Sequence, residues 1–214
     1  MIKFHTYGDS HASKHGSWDR VNLDEVNIVI NWLGPKTMYS FGRDKEIIIK
    51  RNEIGDNDFI CFCFGEIDCR AHINKYEPNW KENIDNLVDE YFKAIYKNIS
   101  GLNIKVCVYN AVPQLERNLE RYKWIIDWES LDPVNRASKG TDEDRVKYTL
   151  YMNEKLKEYC KNYNYIFFDV YENYVDDKGY LNPMYSDNNC HIDNPVFIIE
   201  KLKNIINEHG IKSN

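Results

Sequence analysis

Apolar residues fall along the chain in two patterns, short dense runs and longer stretches spaced by three and four. The dense runs predict five strands. Ile2-Lys3-Phe4-His5 is the first. The second, 26–31, has high β-branched density and stops at Trp32-Leu33-Gly34-Pro35, a turn signal. The third, 58–64, is almost unbroken apolar, as expected of a central parallel strand covered on both faces. Residues 104–110 and 165–170 supply the fourth and fifth.

The spaced stretches predict helices between the strands. Trp80, Ile84, Leu87, Val88, Tyr91, Ile95 and Ile99 share one face of a helix over 79–99, with Pro78 near its first turn and Gly101 just past its end. Thr141, with Asp144 three residues on and acids between, marks the start of another, whose path runs through Val146, Leu150, Met152, Leu156 and Tyr159. A last helix covers 196–209. Residues 37–51 read as helical in pieces, and Ile47-Ile48-Ile49 fits strand or helix equally. Residues 115–127 can be helical, and 128–140 is irregular.

Strand alternating with helix predicts βαβ units and a parallel sheet. The expected fold class is therefore α/β, a three-layer α/β/α sandwich with a flavodoxin-like five-stranded parallel sheet in the order 2-1-3-4-5. No linker or repeat divides the chain, so residues 1–214 are read as one domain.

Composition narrows the partners. A net charge of -6 argues against nucleic acid, whose phosphates need a basic face. No apolar run approaches the ~20 residues of a membrane span. The N-terminus runs straight into a strand without a signal-peptide pattern, so a cytoplasmic protein with no membrane partner is expected. The six cysteines contain no CxxC pair and read as reduced core thiols rather than zinc ligands. Neither a metal nor a cofactor is expected.

The chemistry collects at the strand ends. In a doubly wound sheet the loops after successive strands meet at one edge. Here they carry Gly8-Asp9-Ser10-His11, then Gly34, then Gly65 to Arg70, and a late turn-rich segment adds Asp187-Asn188-Asn189-Cys190-His191. A serine hydroxyl becomes nucleophilic when a neutral imidazole takes its proton. A carboxylate then orients the imidazole and stabilises its charged form, and backbone amides bind the oxyanion.

These motifs resemble the SGNH/GDSL hydrolase family over nearly the whole chain. Gly8-Asp9-Ser10 is similar to its first block, Gly34 to the glycine of its second and His191 to the histidine of its last. Gly65-Glu66-Ile67-Asp68 stands where the family has Gly-x-Asn-Asp. Gly65-Glu66-Ile67-Asp68-Cys69-Arg70 and Gly140-Thr141-Asp142-Glu143-Asp144-Arg145 further resemble a subgroup with polysaccharide-related roles. The resemblance implies Ser10 as nucleophile, His191 as base, and the Ser10 and Gly34 amides as oxyanion donors. Two positions depart from it. Ile67 replaces an asparagine that donates to the oxyanion, and Asn188 stands where the family has its aspartate. Asp187 reaches His191 if the two lie on a helical turn at i,i+4, with Asp193 in reserve.

Asp9, His11, Glu66, Asp68 and Arg70 are candidate substrate contacts. Arg70 is either a substitute oxyanion donor or a structural partner of Glu66 or Asp68, and His11 contacts either substrate or its own loop. His72 with His191 and Asp187 forms a conceivable ligand set, but the spacing does not require a metal. Trp124 and Trp128 with Arg117, Arg121 and Arg136 suit a lid or an ordinary insertion. The expected function is a serine esterase removing an O-acyl, specifically acetyl, group from a carbohydrate. Its partner is a small-molecule or polysaccharide ester. Acyl transfer to a sugar hydroxyl and non-catalytic glycan binding are the alternatives. Oligomeric state is not legible.

Overall fold

The computed structural model describes residues 1–116 and 140–210. Five strands form one parallel sheet: β1 (Ile2–Gly8), β2 (Val26–Trp32), β3 (Phe59–Cys63), β4 (Lys105–Tyr109) and β5 (Ile166–Phe168), in the order β2-β1-β3-β4-β5. The helices are α1 (Met38–Asp44), α2 (Glu66–Ala71), α3 (Trp80–Ile99), α4 (Asp142–Tyr163), α5 (Tyr171–Tyr174) and α6 (Val196–His209). The expected order and parallel pairing are both observed.

Alternation along each strand sends side chains to two separate cores. Phe4, Phe59, Cys61 and Cys63 face one side, where Ile198, Leu202 and Ile205 of α6 cover them. Tyr7, Ile60 and Phe62 face the other, against Phe41 of α1, Val88 and Tyr91 of α3, and Tyr148 and Met152 of α4. Two cores on one sheet make the three layers. All six cysteines are buried and free.

The register fixes where the loops leave. Gly8, the last residue of β1, lies opposite Trp32 at the end of β2 and Cys63 at the end of β3. The Ser10, Gly34 and Gly65 loops therefore depart from the same level of the sheet.

Two local expectations resolve. Ile47-Ile48-Ile49 is neither strand nor helix. It is irregular chain held by Asn98 of α3, whose Oδ1 accepts from Ile48 N at 2.8 Å and whose Nδ2 donates to Glu46 O at 2.8 Å. Thr141 caps α4 reciprocally: its hydroxyl accepts from Asp144 N, and Asp144 Oδ2 accepts from Thr141 N, both at 3.1 Å. The helix expected over 115–127 and the irregular stretch after it lie almost wholly outside the described residues, as do Trp124, Trp128, Arg117, Arg121 and Arg136.

Candidate active site

Beyond β1 the chain tightens into a 3₁₀ turn, Ser10–Ala12, capped by Asp9, whose Oδ1 accepts from His11 N at 2.8 Å. The turn presents Ser10 half-buried at the sheet edge. Ser10 Oγ lies 2.9 Å from His191 Nε2, and His191 Nδ1 lies 2.8 Å from Asp187 Oδ2. Nδ1 faces a carboxylate and so carries the proton. Nε2 is left as an acceptor for the serine hydroxyl, which is the neutral tautomer a general base needs.

The Asp187 loop is not the helical turn expected from the i,i+4 spacing. Ser186 and Ile192 form an antiparallel bridge, and Asp187 N donates to His191 O at 3.2 Å. The intervening chain is a tight hairpin with Asn188 in the left-handed region at φ 62. Asparagine tolerates that conformation far better than most residues. The hairpin folds Asp187 back over the ring, and its Oδ1 also accepts from Asn189 N at 2.8 Å. Burial favours the neutral acid at Asp187. The hydrogen bond from His191 and the positive charge that its ring carries when protonated, with the backbone amides, outweigh this and hold the carboxyl below its usual range. Asp193 points elsewhere, 2.6 Å from Arg20 Nη2 on the surface.

The remaining candidates separate by partner. His11 Nδ1 lies 3.0 Å from Asp9 Oδ1, and its Nε2 lies 3.1 Å from the Cys190 carbonyl oxygen. Glu66 is buried and accepts from Arg70 Nε at 2.8 Å. Asp68, also buried, binds the start of α1, accepting from Met38 N at 2.8 Å and Tyr39 N at 3.1 Å. Asp9, His11, Glu66, Asp68 and Arg70 thus all make bonds within the protein. Among the described residues, the Ser10 and Gly34 amides donate no hydrogen bond, so both remain open to an anion. Gly34 sits at φ 76 with nothing within 4 Å of where a Cβ would stand.

His72 bonds to Lys75 Nζ through Nδ1 at 3.1 Å. Among the described residues, the one group of three His, Cys, Asp or Glu side chains whose ligand atoms converge is His11, Cys190 and His191, within 4.8 Å of one another. Both His11 ring nitrogens already face an oxygen within the protein, Asp9 Oδ1 and the Cys190 carbonyl.

Three features escaped the sequence reading. Trp32 is 57% exposed at the end of β2, its ring 6.3 Å from that of His15, which in turn lies 5.4 Å from His191. A large exposed aromatic closing a strand was its only signal. Arg145 is buried and donates to Arg70 O, Gly140 O and Thr141 O, pinning the end of α2 to the start of α4. The third is the His11 bridge to Cys190. A cavity of about 670 Å³ opens between α1, α2 and α3, lined by Tyr39, Arg43, Asp68, His72 and Tyr76 among others. Its wall includes neither Ser10 nor His191.

No family model matches the sequence, and no curated protein matches it significantly. Solved structures do match its fold. A GDSL-like lipase from Bacteroides thetaiotaomicron aligns with TM-score 0.64 and 16% identity over 96% of this chain and 88% of its own. A member of the lipolytic G-D-S-L family from Veillonella parvula aligns with TM-score 0.57 and 14% identity over 97% and 99%. A catalytic mutant of an acetylxylan esterase from Geobacillus stearothermophilus aligns with TM-score 0.60 and 11% identity over 100% and 97%. At such identities the likeness is one of fold.

Proposed function

We propose that this protein is a serine esterase of the SGNH/GDSL hydrolase type, using Ser10 as nucleophile, His191 as general base and then acid, and Asp187 to orient His191. The observation that carries the reading is the continuous line from Ser10 Oγ to His191 Nε2 at 2.9 Å and from His191 Nδ1 to Asp187 at 2.8 Å. Fold alone does not fix a reaction; three groups in the order of proton transfer argue for acyl transfer.

In this reading Ser10 Oγ attacks the ester carbonyl as its proton passes to His191 Nε2. The carbonyl oxygen becomes an oxyanion held by the open amides of Ser10 and Gly34. Collapse breaks the C–O bond to the alcohol, which leaves with the proton from His191. Water, deprotonated by His191, then attacks the acyl-serine and releases the acid and Ser10. Asp187 stays ionised throughout and stabilises the imidazolium.

The finer reading is an O-acetyl ester on a carbohydrate. Two observations support it: exposed Trp32, whose neighbour His15 lies beside His191, offers a flat apolar face of the kind sugars stack on, and an acetylxylan esterase shares the fold. The test compares release of acetate from acetylated xylo-oligosaccharides with hydrolysis of p-nitrophenyl acetate and of long-chain p-nitrophenyl esters. Acetate release from the sugar, lost in Ser10→Ala, is expected. Turnover of long-chain esters alone would reject the carbohydrate substrate, and no hydrolysis of any ester would reject the esterase.

A further inference from the structure

We propose that His11 is a positioning residue, a buried imidazolium that ties the Ser10 loop to the His191 loop and thereby sets the reach between nucleophile and base. Its kinetic consequence rests on the reading of Ser10 and His191 given above; the tether itself does not.

The protonation state follows from the partners. Nδ1 faces Asp9 Oδ1 at 3.0 Å, and Nε2 faces the Cys190 carbonyl at 3.1 Å. The carbonyl oxygen accepts only, and so does the carboxylate of an ionised Asp9; both ring nitrogens then donate, and a neutral imidazole has one N–H. At 4% exposure, water does not replace either bond. Asp9 is itself fully buried, its Oδ2 has no hydrogen-bond partner among the described residues, and His11 is its ion-pair partner.

The other groups around the ring agree. Glu66, entering from α2, adds negative charge and is shared with Arg70. Burial holds the Cys190 thiol in its neutral form. The His191 ring lies 5.1 Å away and is paired with Asp187. Burial alone would discharge His11, but Asp9, Glu66 and the Cys190 carbonyl reverse this and raise its pKa from 6.5 to about 9. A folded value above the unfolded one makes the tether's contribution complete below about 6.5 and lost as pH rises through about 9.

The link reaches the reacting atoms through one peptide. Cys190 immediately precedes His191, so moving the Cys190 carbonyl moves the imidazole. When His11 loses its second proton, it keeps the one facing the Asp9 carboxylate. A nitrogen lone pair then opposes the carbonyl oxygen, and the His191 loop is released. A misplacement of about 1 Å in such a site costs on the order of 10²-fold in rate.

Nitrogen NMR of the full chain carrying labelled histidine tests the tether without substrate. Both His11 ring nitrogens should stay protonated through neutral pH, lose one proton near 9, and shift the His191 signals over the same range. His11→Gln should lower kcat by about 10- to 100-fold, change KM by less than about twofold, and abolish the loss of kcat near pH 9. If His11→Gln does not fold, Asp9→Asn replaces it, and the His11 titration should then fall by more than one pH unit. Titration of wild-type His11 below about 7, His191 signals indifferent to it, an unchanged kcat in His11→Gln, or a His11 titration unmoved by Asp9→Asn would each overturn the proposal. A wild-type chain without esterase activity would refute the function proposed above, while the NMR arm would still decide the tether.

Discussion

Gly8 packs so closely under Cys63 that a Cβ on it would stand 1.9 Å from the Cys63 carbonyl oxygen and 3.2 Å from Ala12 Cβ. The obstacle is main chain of the central strand, which also accepts from Asp9 N at 3.3 Å, so no side chain can swing aside. Gly8→Ala should therefore displace the Ser10 turn from β3. The expected cost is about 1–3 kcal/mol, the usual range for overpacking, together with a fall in kcat. Urea unfolding and ester hydrolysis measure the two, and an unchanged midpoint with full activity would show that the strand yields.

The competing acids near His191 can be told apart by substitution. Ser10→Ala should remove ester hydrolysis and leave the unfolding midpoint in place. Asp187→Asn keeps the shape but not the charge and should lower kcat by about 10²–10⁴-fold. Asp193→Asn should leave kcat within about twofold, because Asp193 is engaged with Arg20 at the surface. The reverse ranking of Asp187 and Asp193 would reassign the orienting carboxylate.

Asp68 is expected to act on stability through the start of α1. Burial pushes its carboxyl up to about 7 against two backbone bonds, from Met38 N and Tyr39 N, that favour the ionised form. A raised acid binds a proton in the folded chain that the unfolded chain has released above about 4. This group's contribution thus falls as pH rises from about 4 to about 7 and is level above that. Asp68→Asn should flatten that slope. It should also cost about 1–2 kcal/mol, since the carboxamide nitrogen must face one of the two amides. Unfolding midpoints of both proteins measured between pH 4 and 8 check the sign.

The strands were legible because their side chains are buried on both sides of the sheet, so Phe59 to Cys63 leaves no polar position to confuse the pattern. The Ser10 and Gly34 loops were legible for a related reason: parallel topology brings successive strand ends together, and the level of Gly8, Trp32 and Cys63 fixes how closely. What spacing could not carry was backbone path. Asp187 and His191 stand four apart both on a helix and across the Asn188 hairpin, and only the positive φ of Asn188 distinguishes them. The isoleucine run 47–49 took its form from Asn98, a residue outside any local window. His11 was ambiguous because its meaning lies in a carbonyl at Cys190, supplied from the far end of the chain.

Ile67 marks where the proposed oxyanion site is short of a donor. The family that the sequence resembles places an asparagine there, and an isoleucine side chain has no hydrogen to give. Arg70, the alternative donor nearby, directs its Nε to Glu66 at 2.8 Å. In the proposed mechanism the oxyanion is therefore left to the Ser10 and Gly34 amides. Loss of one oxyanion donor from a complete site costs about 10²–10³-fold. A donor added to a site shaped around an apolar residue will recover part of this, so Ile67→Asn should raise kcat on p-nitrophenyl acetate about tenfold with little change in KM. The gain should appear in kcat because the added bond forms only as charge develops on the carbonyl oxygen. An Ile67→Asn variant that folds with the wild-type midpoint yet shows no gain would mean that another group already fills the third position. Arg70→Met, which removes the guanidinium while keeping an unbranched side chain, would then identify it by a loss of kcat in the Ile67 background.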